Sequence, residues 1–335
     1  MSSKKCLGCG ARLSLDEKEV GYTKSLEMDF CQACFRLKHY RQVKTHHHPI
    51  QIPKLNENSL IIVVTSVLYL DLVFTYPIKR YQKNSKVVYL INQLDLLPYQ
   101  TNYQYLYQRL REEANLYHAE YEDIILMSST DQDDIEKLRT YLKTYQVKDI
   151  YLFGVQNSGK TTLFNALTGR KEPLTDVKAG LTQDTITAQF EHFKLHDMPG
   201  LYQNGYIHEF LPYEDYRKLI PLREFKPIIY QVKVNQAFII NEMLAIKLLK
   251  GDNNSVVFYF NNPKINRVNE SNISSQLNQL FEYTKTTFKL SKAQKYQITV
   301  ADIGLIHLEG LQTVELTYPK GLHISLKEAF FLWKN

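Results

Sequence analysis

The sequence predicts an α/β fold in three parts: a domain built on a central sheet, a small cysteine-containing segment before it, and a β-rich segment after it. Three observations lead to this prediction. A glycine-rich loop at residues 154–161 lies between a strand pattern and a helix pattern. A base-binding string, Asn92-Gln93-Leu94-Asp95, ends another apolar run. The four cysteines of the chain fall in two pairs close to its start.

The phosphate-binding loop has the strictest spacing in the sequence. Residues 154–161 match G-x-x-x-x-G-K-[ST] at every fixed position, with a strand predicted at 149–153 and a helix at 162–167. The glycines let backbone amides turn toward phosphates, and the helix start adds partial positive charge. Lys160 is expected to reach the outer phosphates and Thr161 to hold magnesium. A plain glycine turn is the alternative. The expected binding residues are Gly154, Gln156, Asn157, Ser158, Gly159, Lys160, Thr161 and Thr162.

Two segments downstream of the loop are typical of switches, whose order depends on the terminal phosphate. Residues 188–196 predict an apolar-rich strand, and a D-x-x-G string at 197–200 follows it. Asp197 is suited to the magnesium shell through water, and the Gly200 amide to the terminal phosphate. Thr182 is the candidate magnesium-binding hydroxyl of the first switch. The predicted catalytic residues are Lys160, Thr182, Asp197 and Gly200.

The string at residues 92–95 indicates guanine as the base. It ends the apolar run 86–91, which predicts a buried strand. A carboxylate at Asp95 can accept both N–H donors of the guanine edge, a pair that adenine lacks. Asn92 can brace the loop and contact the base, and Gln93 completes the set. Turn chemistry alone also produces such strings, but the end of a strand in an α/β sheet is a credible place for a binding loop.

A third loop, Ser128-Ser129-Thr130, follows a strand predicted at residues 123–127. Its position suits a backbone that supports the guanine ring, so all three residues are candidate binding residues. As a bare tripeptide the string carries no information. A serine-rich loop that opens a helix is therefore the alternative.

The cysteines predict a zinc site. They form two C-x-x-C pairs, and four thiolates at this spacing suit tetrahedral zinc. Disulfides are the rival interpretation, but residues 1–5 hold no apolar stretch typical of a secretory signal. Four sulfur ligands leave no open position, so a structural role is expected. The predicted zinc ligands are Cys6, Cys9, Cys31 and Cys34.

The order of these motifs resembles that of the circularly permuted GTPases. In an ordinary small GTPase the guanine-binding string comes after the phosphate loop, whereas here it comes before. Within that group the chain resembles the YqeH type, which joins the permuted core to an N-terminal zinc finger. Residues 31–40 (CQACFRLKHY) and residues 318–323 (YPKGLH) carry this resemblance. It implies GTP or GDP with magnesium as ligands, and a role in assembly of the small ribosomal subunit.

The motifs and the resemblance predict three domains. Residues 1–50 form a four-cysteine zinc finger, residues 55–205 a circularly permuted, doubly wound P-loop GTPase domain, and residues 206–335 a β-rich C-terminal domain. In the last, residues 274–287 predict a helix. The strand-like runs there are residues 227–234, 255–260 and 295–300. The resemblance implies that this domain binds RNA or a partner.

The N-terminal segment carries most of the net charge. Residues 1–55 hold ten Lys or Arg and five acidic residues, an excess of five positive charges, against +6 for the whole chain. Phe35 and Tyr40 flank a basic cluster at residues 36–39, a mixture that can stack on bases and pair with phosphates. A solvated basic face is the alternative. The expected partners are rRNA and the small ribosomal subunit precursor, with no membrane and no DNA.

Composition bounds the domain count and the location. A chain of 335 residues with 44% hydrophobic content should build more than one domain. The longest apolar run, residues 60–70, is too short to cross a bilayer and meets Asp71. It therefore predicts a buried first strand of the central sheet. With no signal or anchor visible, a cytoplasmic protein is expected.

Several departures from the family pattern bear on hydrolysis. Leu201 follows the D-x-x-G string where many GTPases carry a water-orienting glutamine, and leucine cannot orient water by hydrogen bonding. A cation or a partner is then needed, and Asn157 matches the asparagine of potassium-activated GTPases. Gln93 replaces the lysine of N-K-x-D, keeping a hydrogen-bonding tip but losing its charge. Met198 replaces the threonine of D-T-P-G. Slow intrinsic turnover, stimulated by the ribosome or by potassium, is expected.

Two further interpretations come from other classes of protein. One is a zinc-dependent RNA-binding scaffold that binds GTP with little turnover. The other is an ATP-dependent kinase or transporter motor, which would need an adenine pocket in place of Asp95. Single-turnover hydrolysis with and without small subunits separates the scaffold from the switch, and nucleotide competition tests the motor.

Overall fold

The structure is a computed structural model that describes most of the chain from residue 55 onward. The described residues are 4, 13–16, 22–28, 55–75, 84–170, 185–201, 203–251, 254–291, 294–310 and 312–333, without the side chains of residues 208, 213 and 254. The predicted basic cluster at residues 36–39 lies outside them. So do five of the predicted metal ligands, namely Cys6, Cys9, Cys31, Cys34 and Thr182.

The described chain divides into two compact units. The first unit takes in the chain as far as Val67, then Leu72–Leu94 and Glu113–Gln203. The second unit takes in Leu68–Asp71, Asp95–Glu112 and the chain from Asn204 onward. Two short stretches of the N-terminal half therefore belong to the second unit. The domain limits given above stay predictions.

Six strands form the sheet of the first unit: β1 (Leu60–Ser66), β2 (Lys86–Asn92), β3 (Asp123–Leu126), β4 (Asp149–Phe153), β5 (Ile186–Phe190) and β6 (Phe193–Asp197). Their order across the sheet is β3-β2-β1-β4-β6-β5. Every neighbouring pair is parallel except β5 with β6. Strands β1 and β4 are buried along their whole length, as expected for central parallel strands with both faces covered.

Three helices connect the strands: α1 (Tyr103–Leu116), α2 (Gln132–Leu142) and α3 (Lys160–Thr168). The side chain of Asp131 caps α2 by accepting hydrogen bonds from two amides of its first turn. Helix α3 begins after Gly159 and ends at Gly169, and both glycines have a left-handed backbone. Helices α2 and α3 bury Leu138 and Leu163 in the core of the sheet. None of the helices in the described ranges combines the length and apolar character that crossing a bilayer requires.

Two five-stranded antiparallel sheets form most of the second unit. Their strands are β7 (Ile228–Val232), β8 (Gln236–Ile240), β9 (Leu244–Gly251), β10 (Asn254–Phe260), β11 (Ile265–Asn269), β12 (Tyr283–Leu290), β13 (Lys295–Val300), β14 (Gly304–Glu309), β15 (Gln312–Pro319) and β16 (Ile324–Glu328). The sheet orders are β16-β13-β14-β10-β7 and β11-β8-β9-β15-β12. Rings of Tyr230, Phe238 and Phe258 pack together and join the two sheets. Two short helices, α4 (Tyr213–Leu219) and α5 (Ile273–Gln276), also belong to this unit, as do residues 103–112 of α1.

Buried carboxylates tie separate stretches of the second unit together. Asp71 lies 2.7 Å from His323 Nε2 and accepts a hydrogen bond from the Ser325 hydroxyl at 2.5 Å. Asp302 accepts a hydrogen bond from the Tyr216 hydroxyl at 2.6 Å. Carboxylates are buried in proteins when they are paired in this way, because an unpaired one is strongly disfavoured. The stretch Leu68–Asp71 is thereby anchored to the C-terminal strands.

Most of the predicted elements are confirmed, and two are wrong. The strand predicted at residues 188–196 is the β5–β6 hairpin, because the chain turns at Glu191, where φ is +52°. The helix predicted at residues 274–287 is confined to α5, and β12 occupies the rest from Tyr283. In β12 every second residue from Lys285 to Lys289 is exposed, which is the period of a strand and not of a helix.

Candidate nucleotide-binding site

The loop between β4 and α3 depends on two glycines that have no room for a side chain. A Cβ on Gly154 would lie 2.0 Å from the carbonyl oxygen of Val64 in β1. A Cβ on Gly159, where φ is +85°, would lie 2.2 Å from Asn92 Nδ2. Glycine is therefore required at both positions for steric reasons. The close approach packs the loop against the carboxyl ends of β1 and β2.

Lys160 is directed into the loop that precedes it. Its side chain is buried, and Nζ donates hydrogen bonds to the carbonyl oxygens of Gly154 at 2.9 Å and Val155 at 2.8 Å. Burial lowers the pKa of Lys160 to about 8, and the nearby Asp197 carboxylate acts in the opposite direction. An ammonium group held in this way suits an anionic ligand, since phosphate oxygens are stronger acceptors than carbonyls.

Thr161 and Asp197 form a pair of oxygen groups suited to magnesium. The Thr161 hydroxyl donates to Asp197 Oδ2 at 2.8 Å, and Asp197 is fully buried at the end of β6. The second carboxylate oxygen, Oδ1, has no hydrogen-bond partner in the described part of the chain. Burial raises the pKa of Asp197, while Thr161 and Lys160 lower it. A buried carboxylate oxygen beside a hydroxyl fits Mg²⁺, which prefers hard oxygen ligands.

The segment after Asp197 lies against the phosphate loop. The Leu201 amide donates to the carbonyl oxygen of Gly154 at 2.9 Å, and its side chain is buried. A Cβ on Gly200 would lie 3.2 Å from Cγ of Gln156. Gly200 thus allows the close approach of the two loops. The buried position of Leu201 agrees with the expectation that this residue cannot orient water.

Asn92 joins three of the predicted binding segments. It is 1% exposed at the end of β2. Its Nδ2 donates to the carbonyl oxygen of Ser158 at 2.9 Å, and its Oδ1 accepts from the Ser129 amide at 2.9 Å and the Ser129 hydroxyl at 2.8 Å. The structure therefore brings together the base-binding string, the serine loop and the phosphate loop. Their roles toward a nucleotide stay predictions.

The remaining base-binding residues lie in the turn that follows Asn92. Gln93 has a left-handed backbone, with φ of +63°, and its Oε1 is buried without a hydrogen-bond partner among the described residues. Asp95 is exposed in a short 3-10 helix, Leu94–Leu96. The Leu94 amide donates to the carbonyl oxygen of Met127 at 3.4 Å, beside the serine loop. The exposed Asp95 carboxylate is accessible to a base.

The serine loop has a supporting residue that the sequence analysis missed. The Ser128 amide donates to Asp134 Oδ2 at 3.0 Å, and the hydroxyls of Ser128 and Thr130 lie 2.9 Å apart. Asp134 is on the first turn of α2. An Asp six residues after Ser128, where a serine-rich loop could open a helix, is a signal that the sequence offered, because side chains of the first turn commonly bond to the amides before it.

Unpaired buried polar atoms mark the phosphate loop. Gln156 Oε1 and Ser158 Oγ are buried without a hydrogen-bond partner in the ranges that the structure describes. Buried polar atoms of this kind are uncommon and usually indicate a ligand, ion or water position. Asn157 has a left-handed backbone with φ of +60°, and Thr162 follows Thr161 on the first turn of α3. The arrangement can cradle a phosphate chain at the start of α3.

Comparisons with known proteins agree with this geometry. A family model described as "50S ribosome-binding GTPase" matches residues 149–262. The uncharacterized protein YqeH of Bacillus subtilis is 22% identical over 97% of this chain and 98% of its own length. GTPase Der of Bartonella henselae is 37% identical over 26% of this chain and 20% of its own length. The tRNA modification GTPase MnmE of Borreliella burgdorferi is 30% identical over 46% of this chain and 34% of its own length.

These comparisons support three statements. The chain carries a P-loop GTPase domain, and such a domain implies GTP or GDP with Mg²⁺ as ligands. The match to YqeH runs along nearly the whole of both chains. The resemblance to YqeH-type GTPases is therefore supported along the chain and not only at the phosphate loop.

Proposed function

On the basis of the similarity to YqeH-type GTPases, we propose that this chain is a switch protein that binds and hydrolyses GTP. It binds rRNA or pre-ribosomal particles and assists assembly of the small ribosomal subunit. The observation that carries the nucleotide part is the set of bonds made by Asn92. One buried amide holds the Ser158 carbonyl of the phosphate loop and the Ser129 amide of the serine loop. A base-binding loop and a phosphate-binding loop that share a residue form parts of one site.

The proposal includes a circular permutation of the GTPase core. The matched family model begins at residue 149, so the base-binding string at residues 92–95 lies before the matched segment. The sheet order also supports this view, because β1 and β2 precede β4 in the chain, yet β1 pairs directly with β4 and β2 lies on the far side of β1. The second switch then comes last in the core, shortly before residue 204, where the second unit resumes. A change in that switch would be transmitted along the chain into the second unit.

In the proposed reaction each residue of the site has one task. Lys160 exchanges its two carbonyl partners for phosphate oxygens and neutralises charge on them. Thr161 and Asp197, with Thr182 from the first switch, would hold a magnesium ion, which when bound neutralises the phosphate oxygens and orients them. The Gly200 amide donates to the terminal phosphate. Asp95 accepts the two N–H groups of guanine.

Hydrolysis is proposed to be slow without a stimulating partner. The buried Leu201 offers no group to orient the attacking water, so that group must come from outside the site. Asn157 is the proposed ligand for a potassium ion that assists. Rates that are equal in potassium and sodium would remove the cation from the proposal.

The ribosomal part of the proposal rests on similarity and charge. Four cysteine thiolates holding zinc, with the basic residues 36–39 beside them, are the proposed RNA-binding element. A cytoplasmic location is proposed, as expected for a factor that acts on ribosome precursors. Because the matched family is described by binding to the 50S ribosome, the test must include both ribosomal subunits.

The base assignment is tested with Asp95→Asn. The wild-type chain should prefer GDP over xanthosine diphosphate by about a hundredfold or more, because a site built to pair with donors rejects a base that lacks them. The variant should reverse or lose this preference in competition binding. Asp133→Asn, on the exposed first turn of α2, is the matched control. An unchanged preference in Asp95→Asn would contradict the assignment.

The switch function is tested by single-turnover hydrolysis. The rate is measured with the protein alone, with small subunits and with large subunits, in potassium and in sodium. Stimulation by small subunits supports the switch. Binding of RNA and GTP with no hydrolysis in any mixture would favour the zinc-dependent RNA-binding scaffold instead.

A further inference from the structure

The chain that follows Asp95 is held by a segment far away in the sequence. The Phe225 amide donates to the carbonyl oxygen of Leu96 at 2.8 Å. The Tyr99 amide donates to Glu224 Oε1 at 2.6 Å, across 125 residues of sequence. These two bonds lie on either side of residues 97 and 98. All of these residues belong to the second unit.

One of the two bonds is anchored in the core, and the other is at the surface. Phe225 is 2% exposed, and its ring lies edge-to-face with Tyr259 at 6.4 Å between centroids. Leu96 is also buried. In contrast, Tyr99 is 86% exposed, and Glu224 is exposed. The Glu224 bond is therefore the part of the contact that can be removed without opening the core.

Resting on the proposed role of Asp95 in guanine binding, we infer that Glu224 is a positioning residue for recognition of the base. Asp95 lies in the 3-10 helix Leu94–Leu96, and Phe225 holds the last carbonyl of that helix. Glu224 holds the amide three residues further on. Together they fix the backbone that carries the Asp95 carboxylate.

The chemistry of base recognition makes that position matter. A carboxylate that accepts two parallel N–H donors must present both oxygens in the plane of the base. Small displacements therefore weaken the second bond before the first, since hydrogen bonds weaken steeply with angle. Loss of the Glu224 bond should reduce discrimination by the exocyclic amino group of guanine more than affinity for the phosphates.

The experiment compares binding of GDP with binding of inosine diphosphate, which lacks that amino group. It uses the full-length chain and three variants: Glu224→Ala, Glu224→Gln and Glu282→Ala. The glutamine keeps a neutral oxygen acceptor for the Tyr99 amide. Glu282 is an exposed carboxylate paired with Lys320 at 3.5 Å, and it serves as the matched control.

We expect Glu224→Ala to weaken GDP binding about fivefold to tenfold, a size typical of one intramolecular hydrogen bond. The ratio of inosine diphosphate to GDP dissociation constants should fall about threefold or more. Glu224→Gln should recover the wild-type ratio, and Glu282→Ala should match the wild type. A general structural defect would instead weaken both nucleotides equally. An unchanged ratio in Glu224→Ala, or an equal fall in Glu224→Gln, overturns the inference.

Asp95→Asn in the same assay separates this inference from the proposed function. If Asp95→Asn keeps the wild-type ratio, Asp95 does not read the base and the base assignment itself is wrong. If Asp95→Asn brings the ratio of the inosine diphosphate and GDP dissociation constants to about one while Glu224→Ala keeps the wild-type ratio, the base assignment stands. The positioning role of Glu224 is then wrong.

Discussion

Asn92 is the residue whose displacement should disturb the candidate site most. Its single side-chain amide makes three hydrogen bonds, one to the phosphate loop and two to the serine loop. It is 1% exposed, so water cannot replace a lost partner. A buried polar group left unpaired costs about 1–3 kcal/mol. A neighbour that pushes Asn92 aside would therefore affect both loops at once.

We expect Gly159→Ala to abolish binding of guanine nucleotides. The alanine Cβ would lie 2.2 Å from Asn92 Nδ2, far inside van der Waals contact. The left-handed backbone adds about 1–2 kcal/mol of strain. Calorimetric titration with GDP should show a dissociation constant raised by about a hundredfold or more, as expected when two or more of the Asn92 bonds are lost.

Gly169→Ala is the matched control for this substitution. It follows the same helix α3 and has φ of +67°, but no atom of the described residues lies within 4 Å of the added Cβ. Gly169→Ala should lose about 1–2 kcal/mol of stability from backbone strain alone and bind GDP as the wild type does. Equal binding by the two alanine variants would show that the Gly159–Asn92 contact is not critical.

His307 is expected to make the second unit sensitive to acid. Burial, with a smaller contribution from Lys295, lowers the pKa of His307 to about 3. In the unfolded chain the histidine takes up a proton near pH 6.5, whereas in the folded chain it stays neutral. Stability should therefore fall as the pH drops from 6.5, by about 2–3 kcal/mol at pH 4.5. The free energy of unfolding at each pH is measured by urea titration, with the fluorescence of Trp333, the single tryptophan, as the signal.

The control for this prediction replaces the ring and keeps its hydrogen bond. His307 Nε2 lies 3.1 Å from Gln297 Oε1. His307→Gln keeps a donor for that oxygen but cannot take up a proton, so its stability should depend less steeply on pH between 6.5 and 4.5. His118→Gln, on the exposed surface, should leave the slope unchanged. The same slope in His307→Gln and in the wild type would exclude the buried histidine as the cause.

At the scale of elements, helix α2 supports the serine loop through its first turn. We expect Asp134→Ala to weaken GDP binding about fivefold, because the Ser128 amide loses its partner at 3.0 Å. Asp133→Ala, one residue earlier on the same turn, is the control and should bind GDP normally. Dissociation rates of a fluorescent GDP derivative measure both. If Asp133→Ala and Asp134→Ala release GDP equally fast, the faster release is caused by the loss of a negative charge from the first turn of α2 and not by the loss of the bond to Ser128.

The sequence predicted the buried strands better than the exposed elements. Strands β1, β2 and β4 are continuous runs of apolar residues, a pattern that central parallel strands impose. The strand β12 was taken for part of a helix, because its Thr and Lys residues leave only a weak apolar signal. The turn at Glu191 was missed for a different reason. Asn is the residue type most often found with positive φ outside glycine, so a glutamate in that conformation gives no signal in the sequence.

In the candidate site, the motifs formed by neighbouring residues could be predicted from the sequence, whereas the contacts between distant residues could not. The loop at residues 154–161 and the string at 92–95 were recognised because their chemistry fixes the spacing of neighbouring residues. The bond from Asn92 to Ser158 spans 66 residues and the bond from Tyr99 to Glu224 spans 125. Spacing along the chain says nothing of contacts that far apart. They depend on how the sheet and the second unit fold.

At the scale of the whole molecule, the charge distribution predicts that RNA and nucleotide bind to different parts of the chain, so that one affinity can be lost while the other is kept. Removing the proposed zinc ion with a zinc-selective chelator should weaken the proposed binding of an rRNA fragment by about tenfold or more, since folded zinc sites depend on the metal. The GDP dissociation constant should stay the same, because the predicted nucleotide residues include no cysteine. Fluorescence anisotropy at one fixed salt concentration measures the RNA affinity.

Restoring zinc to the treated protein provides the control. RNA binding should return, and it should stay lost in a Cys31→Ser, Cys34→Ser double variant. RNA affinity that is indifferent to both treatments would place the RNA-binding surface outside the cysteine-containing segment.

The stretch Leu68–Asp71 has a consequence for how the protein is made. Asp71 is translated early, but the Ser325 hydroxyl that binds it comes 254 residues later. At synthesis rates of about 5–20 residues per second the nascent chain waits on the order of ten to fifty seconds for that partner. During this interval the acid must remain hydrated, so the stretch Leu68–Asp71 cannot complete its native surroundings. Folding of the second unit therefore cannot finish before Ser325 has been synthesised.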